Sequence, residues 1–133
     1  MKILGIDYGQ KRIGLAMAHG DMAFPYKTLL KTTRDKMFAD LLEVIATENV
    51  AAVVLGLPLD LQDAETMTTR QVRNFRDSLA RRTTVPIYLV NEVLTSFDAR
   101  ERLREAGVPA HKQKNMLDQM AAVCILETYL RNR

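Results

Sequence analysis

The sequence predicts an α/β fold: a mixed five-stranded sheet with helices on both faces. Three observations carry this. The first thirty residues hold three β-rich runs separated by turns too short for a helix. Beyond them, amphipathic helical stretches alternate with short β-branched runs, the pattern of parallel βαβ units. The 133 residues, 47% apolar and 26% charged, suffice for one core, so residues 1–133 read as a single domain.

Residues 2–7 (KILGID) and 12–18 (RIGLAMA) read as buried strands. The segment Tyr8 to Lys11, with Gly9, suits a tight antiparallel hairpin. Residues 22–30 form a third strand, which Pro25 confines to an edge or a bulge. Met37, Phe38, Leu41, Leu42 and Ile45 give residues 34–48 the spacing of an amphipathic helix. AAVVLGLP (51–58) reads as a buried parallel strand ended by Gly56 and Pro58. A helix over about 66–82 follows, with Val72, Phe75 and Leu79 as its apolar stripe, and then a strand over 85–90. Residues 94–107 predict a helix capped by Ser96 and stopped by Gly107, and 115–130 a closing helix capped by Asn115. Three meander strands followed by parallel units is the ribonuclease-H-like arrangement.

No run of 18 apolar residues appears, and the start lacks a signal-peptide pattern. The reading is a cytoplasmic protein with no membrane partner. The lone Cys124, in an apolar helical stretch, excludes a cysteine-based zinc site or a disulfide framework and reads as a small core residue. A net charge of +3 favours a polyanionic partner only where the bases cluster at a site.

Three carboxylates stand out. Asp7 follows Ile3-Leu4-Gly5-Ile6 at the carboxyl end of the first strand, and Glu92 follows Ile87-Tyr88-Leu89-Val90. Ligands of open α/β sheets bind at such strand ends. On a helix, Asp118 shares a face with Ala121, Ala122 and Ile125, small and apolar neighbours that would press on the sheet. Three clustered carboxylates repel unless one is protonated or a cation joins them. Oxygen-preferring Mg²⁺ or Mn²⁺ would remove that penalty, and two such ions ~4 Å apart can hold the attacking and leaving oxygens of a phosphodiester displacement. Lys11, Arg12, Arg70, Arg73, Arg76, Lys112 and Lys114 supply charge suited to a phosphate chain. Plainer readings stand beside these. Asp7 could close the hairpin as a turn residue, Glu92 could cap the helix after it, and Asp118 could be a first-turn acid. The arginine row could be a solvated face.

Taken together, GIDYGQKRIGLA (5–16), VVLGLPL (53–59), VRNFRDSL (72–79), NEVLTS (91–96) and LDQMAAVCILETYL (117–130) resemble the YqgF or RuvX-like family of the ribonuclease H superfamily, over essentially the whole chain. The resemblance implies a nuclease that trims the 5′ end of pre-16S ribosomal RNA, with branched DNA such as Holliday junctions as a further substrate. It implies that Asp7, Glu92 and Asp118 are catalytic and bind two ions, Mg²⁺ or Mn²⁺, giving 5′-phosphate and 3′-hydroxyl products. Lys11, Arg12, Arg70, Arg73, Lys112 and Lys114 are the candidate nucleic-acid contacts. Gly5, Gly9, Gly14, Gly56 and Pro58 are the candidate structural residues. Expected partners are precursor rRNA and the ribosomal precursor particle, with the chain a monomer or weak homodimer. Where the family reads Asp-Glu-Arg-x-Thr-Thr, this chain reads Asn91 to Ser96, which keeps the glutamate and changes its flanks. Two rivals are a non-catalytic nucleic-acid- or ribosome-binding module and an actin-like ATPase. The second is disfavoured by a single domain without a second glycine-rich phosphate loop.

Overall fold

The computed structural model describes residues 1–59, 64–92, 101–107 and 109–133. Strands β1 (Lys2–Tyr8), β2 (Arg12–His19) and β3 (Met22–Leu30) form an antiparallel meander. Helix α1 (Arg34–Thr47) leads to β4 (Val50–Leu57), and α2 (Met67–Ala80) to β5 (Ile87–Asn91); α3 (Ala110–Asn132) follows. The sheet order is β3-β2-β1-β4-β5, with β4 parallel to both β1 and β5. Five strands in mixed orientation with helices on both faces are the predicted architecture.

Alternation along β1 divides the core. Leu4 and Ile6 point into a cluster with Phe38 and Leu41 of α1 and Phe75 and Leu79 of α2. Ile3 points to the other face, where Ala122, Val123, Ile125 and Leu126 of α3 pack. Buried Cys124 belongs to α3, as expected of a core residue. On the edge strand, Pro25 pairs with Ala16 beside a register shift between Leu15 and Ala16, so the missing N–H falls at a bulge.

Two boundaries differ from expectation. β5 begins at Ile87 and not at residue 85, because Pro86 has no N–H for the ladder, though its carbonyl accepts from Val53 N–H at 2.9 Å. α3 begins at Ala110, with extended Pro109 in the capping position and no side-chain cap. Asn115 is therefore inside the helix. The polar run from His111 to Asn115 carries no apolar period, so the pattern in the sequence shows the helix only from Met116 onward. Residues 101–105 are helical and Gly107 takes φ 75°, the left-handed conformation of a helix stop; Ser96 lies outside the described residues.

Helix α2 starts with a capping box. Thr69 N–H donates to Thr66 Oγ1 (3.3 Å) and Thr66 N–H to Thr69 Oγ1 (2.9 Å). The Thr69 hydroxyl, fully buried, also donates to the Pro58 carbonyl, so one side chain ties α2 to the end of β4. Thr69→Val keeps the shape but strands these partners. It is expected to lower stability by about 2 kcal/mol in thermal or urea unfolding, with Thr69→Ser retaining most of it.

Candidate active site

The carboxyl ends of β1 and β4 and the body of α3 define the site. α3 reaches the sheet because three residues beneath it have no side chain. A Cβ on Gly5 would lie 2.5 Å from Leu126 Cγ, and one on Gly14 would lie 2.0 Å from the Asp118 carbonyl oxygen. A Cβ on Gly56 would lie 2.1 Å from Glu92 Oε2 and 2.5 Å from Ile125 Cδ1. Gly14 is the register partner of Asp7, so Asp118 is set down beside Asp7. Gly9 has a separate purpose: its N–H closes the hairpin on the Arg12 carbonyl at 3.0 Å, where a Cβ would collide with the same oxygen. Pro58 follows β4, and its carbonyl receives the Thr69 bond.

Asp7 lies on the α3 side of β1, since Gly5 two residues earlier meets α3. Burial, and secondly the carboxylate of Asp118, pushes Asp7 up to about 7. Glu92 follows β5 and is anchored by its N–H to the Leu57 carbonyl at 3.1 Å. Burial, and secondly Asp7, pushes Glu92 up to about 8. Although Glu92 is only part-buried as a residue, its Oε2 is sealed from solvent and has no hydrogen-bond partner among the described residues. A buried carboxylate oxygen without a partner is costly and points to a missing proton or cation. Asp118 accepts from Arg12 Nε at 2.8 Å, its side chain 19% exposed.

Asp7 thus interacts with both other acids. Among the described residues, no three His, Cys, Asp or Glu side chains are yet gathered closely enough to hold one ion. The donors nevertheless fit a hard divalent cation: three carboxylates at one edge, one oxygen unpartnered, and neither sulfur nor imidazole among them. Asp118 sits in the third turn of α3, which removes the reading of it as a first-turn acid balanced by the helix dipole.

The basic residues divide. Lys11 is exposed at the hairpin, while Arg12 is committed to Asp118, a pairing across 106 residues that no local pattern discloses. Arg70 and Arg73 belong to α2, on the opposite face from α3; Arg70 is exposed and Arg73 pairs with Glu65. Arg76 pairs with Asp77. Lys112 and Lys114 fall in the first turns of α3, with side chains outside the described residues. Lys31 and Arg34, which are not among the candidate contacts, flank the start of α1 at the same edge of the sheet. Their signal was two bases around Thr32-Thr33, the α1 cap.

Comparison with known proteins gives the family and the fold. A protein of Maridesulfovibrio salexigens named "Putative pre-16S rRNA nuclease" is 54% identical over 132 residues, covering 98% of each chain. One of the same name from Nitratidesulfovibrio vulgaris is 51% identical, covering 98% of this chain and 93% of its own. Among solved structures, Thermus thermophilus RuvC in complex with a Holliday junction substrate superposes with a TM-score of 0.64 at 19% identity, covering 98% of this chain and 95% of that one. The fold is ribonuclease-H-like, of the RuvC type. Residues 1–132 match the family described as "RuvX: Holliday junction resolvase", and the chain belongs to that family.

Proposed function

We propose that the protein is a divalent-metal-dependent nuclease whose substrate is precursor ribosomal RNA, cut near the 5′ end of the 16S sequence. The observation that carries the reading is the Asp7–Glu92–Asp118 group, two of whose members are raised toward neutrality by burial while Glu92 Oε2 has no partner. Arg12 balances Asp118 alone; among the described residues no cationic side chain pairs with Asp7 or Glu92, and a divalent cation would balance both. The names of the relatives support RNA as the substrate class, and the RuvC–junction complex supports branched DNA as a second.

Asp7, Glu92 and Asp118 would hold Mg²⁺ or Mn²⁺, two ions in all. When bound, these activate a water and stabilise the departing 3′ oxygen, leaving a 5′ phosphate. With Asp7 pushed up to about 7 and Glu92 to about 8, the unloaded pair is partly protonated around neutrality and would release those protons as the acids become ligands. Arg12 holds the Asp118 carboxylate in place meanwhile, and Lys11 at the exposed hairpin is positioned for the phosphate chain.

The test is cleavage of a labelled pre-16S fragment, a single-stranded RNA and a four-way DNA junction, each with Mg²⁺, Mn²⁺ or EDTA. The expected result is metal-dependent cutting of the precursor RNA with 5′-phosphate ends. Binding of all three without cutting, under either metal, would leave a nucleic-acid-binding module and overturn the proposal.

A further inference from the structure

A cavity of about 300 Å³ opens at the same edge of the sheet as the carboxylates but on its other face, between the first turns of α1 and α2. Tyr8 and Phe75 form its apolar wall, stacked with centroids 4.2 Å apart. Lys31 and Arg34 stand at its rim. Lys31 Nζ lies 4.0 Å over the Tyr8 ring and donates to the Gly9 carbonyl at 3.2 Å. Arg34 gives one of its five N–H donors to Ser78 Oγ at 2.7 Å. Gln71 and Asn74, both exposed, line the mouth with amide groups that have no hydrogen-bond partner among the described residues. Among the described residues, no acid lines this cavity.

The chemistry selects an occupant that is anionic on one side and flat, apolar-faced and polar-edged on the other. A nucleotide has that form: Lys31 and Arg34 suit its phosphate, the Tyr8 face that Lys31 covers suits its base once Lys31 turns to that phosphate, and the two amides suit the base edge. The volume is at the lower limit of small-ligand sites, room for one base and sugar and far too little for a duplex. Position completes the argument. Asp7 and Tyr8 are consecutive on β1 and face opposite sides, so a strand crossing the end of β1 meets the carboxylates on one side and the cavity on the other.

We infer that this cavity receives an unpaired nucleotide of the substrate strand, close to the bond cut at the carboxylates, and so requires a single-stranded segment there. The inference rests on the nuclease reading for its substrate, but its test separates the two.

Single abasic replacements would be walked through the nucleotides flanking the cut in a single-stranded RNA. At one position KM is expected to rise about tenfold with kcat little changed. The Gln71→Ala/Asn74→Ala double variant should show the raised KM on intact RNA and no further loss on the abasic strand. Both side chains are exposed, so folding should survive, as circular dichroism would verify. In parallel, 2-aminopurine walked through the same strand should change fluorescence on binding at that position with the wild-type protein but not the double variant, read in EDTA so that cleavage is irrelevant. Normal cleavage with no position sensitive to base removal would overturn the cavity's role and leave the nuclease reading intact. Absence of cleavage with the position-specific fluorescence change retained would do the reverse. A free nucleoside monophosphate that binds as tightly as the strand would also overturn it, since the cavity would then serve a soluble ligand.

Discussion

Asp7→Asn is expected to lower metal-dependent cleavage by about 10³-fold while raising the stability of the metal-free protein at pH 8. The two effects have one origin. In the folded chain Asp7 is pushed up to about 7 by burial and by Asp118, and Glu92 up to about 8 by burial and by Asp7, whereas unfolded carboxyls ionise near 4. Between these values the folded state keeps protons that the unfolded state has released. The metal-free protein therefore loses stability as pH rises from about 4 to 8. Asparagine does not ionise, and it also relieves Glu92 of a neighbouring charge. The variant should match the wild type near pH 4 and exceed it by about 2 kcal/mol at pH 8. Thermal unfolding in EDTA across that range checks the prediction. Parallel pH profiles for the two proteins, or full Mn²⁺-dependent activity in the variant, would contradict the assignment of Asp7.

Gly14→Ala should be the most damaging methyl group added at any of the glycines. The added carbon would lie 2.0 Å from the Asp118 carbonyl oxygen and 2.2 Å from its carbonyl carbon. Both are backbone atoms of α3, so no rotamer change relieves the overlap, and the helix itself must lift. Lifting it disturbs the Leu126 contact above Gly5 and the bond from Gln119 to Thr28 Oγ1 at 3.0 Å. A loss of about 3 kcal/mol follows, lowering Tm by roughly 10 °C. Cleavage should fall further than stability does, because Asp118 moves away from Asp7. Gly56→Ala is the informative contrast: its nearest obstacle is the end of the Glu92 side chain, which can swing aside. That variant should retain more stability and still lose activity.

Much of this arrangement was legible in the residues. The meander, the bulge at Pro25 and the parallel strand at β4 follow from alternation, β-branching and turn residues, all local properties. Asp7, Glu92 and Asp118 could be picked out because each interrupts an apolar pattern. Strand direction brings Asp7 and Glu92 to one edge, and the seating of α3 over Gly14 adds Asp118. The start of α3 was hidden because its first turns are polar on every side. The Arg12–Asp118 pair was hidden for a different reason: it joins a hairpin to a helix, and neither segment records the other. The cavity beside Tyr8 likewise draws on β1, the start of α1 and α2, and no one segment has the composition of a binding site.

The seating of α3 on the meander also fixes when the site comes into being. Asp7 and Asp118 are 111 positions apart, yet they share one corner of the sheet, with β1 to β3 made before α3. Contacts of such long sequence separation form late, after the loop between them has been closed. A chain emerging in order can fold its hairpins and βαβ units while Asp118 is still unmade, and in that interval Asp7 faces the charge of Glu92 alone. The full convergence of three charges is thus postponed until the sheet and the first two helices exist to hold it. Hydrogen exchange during refolding should show β1 and β2 protected before the turns of α3 that carry Asp118.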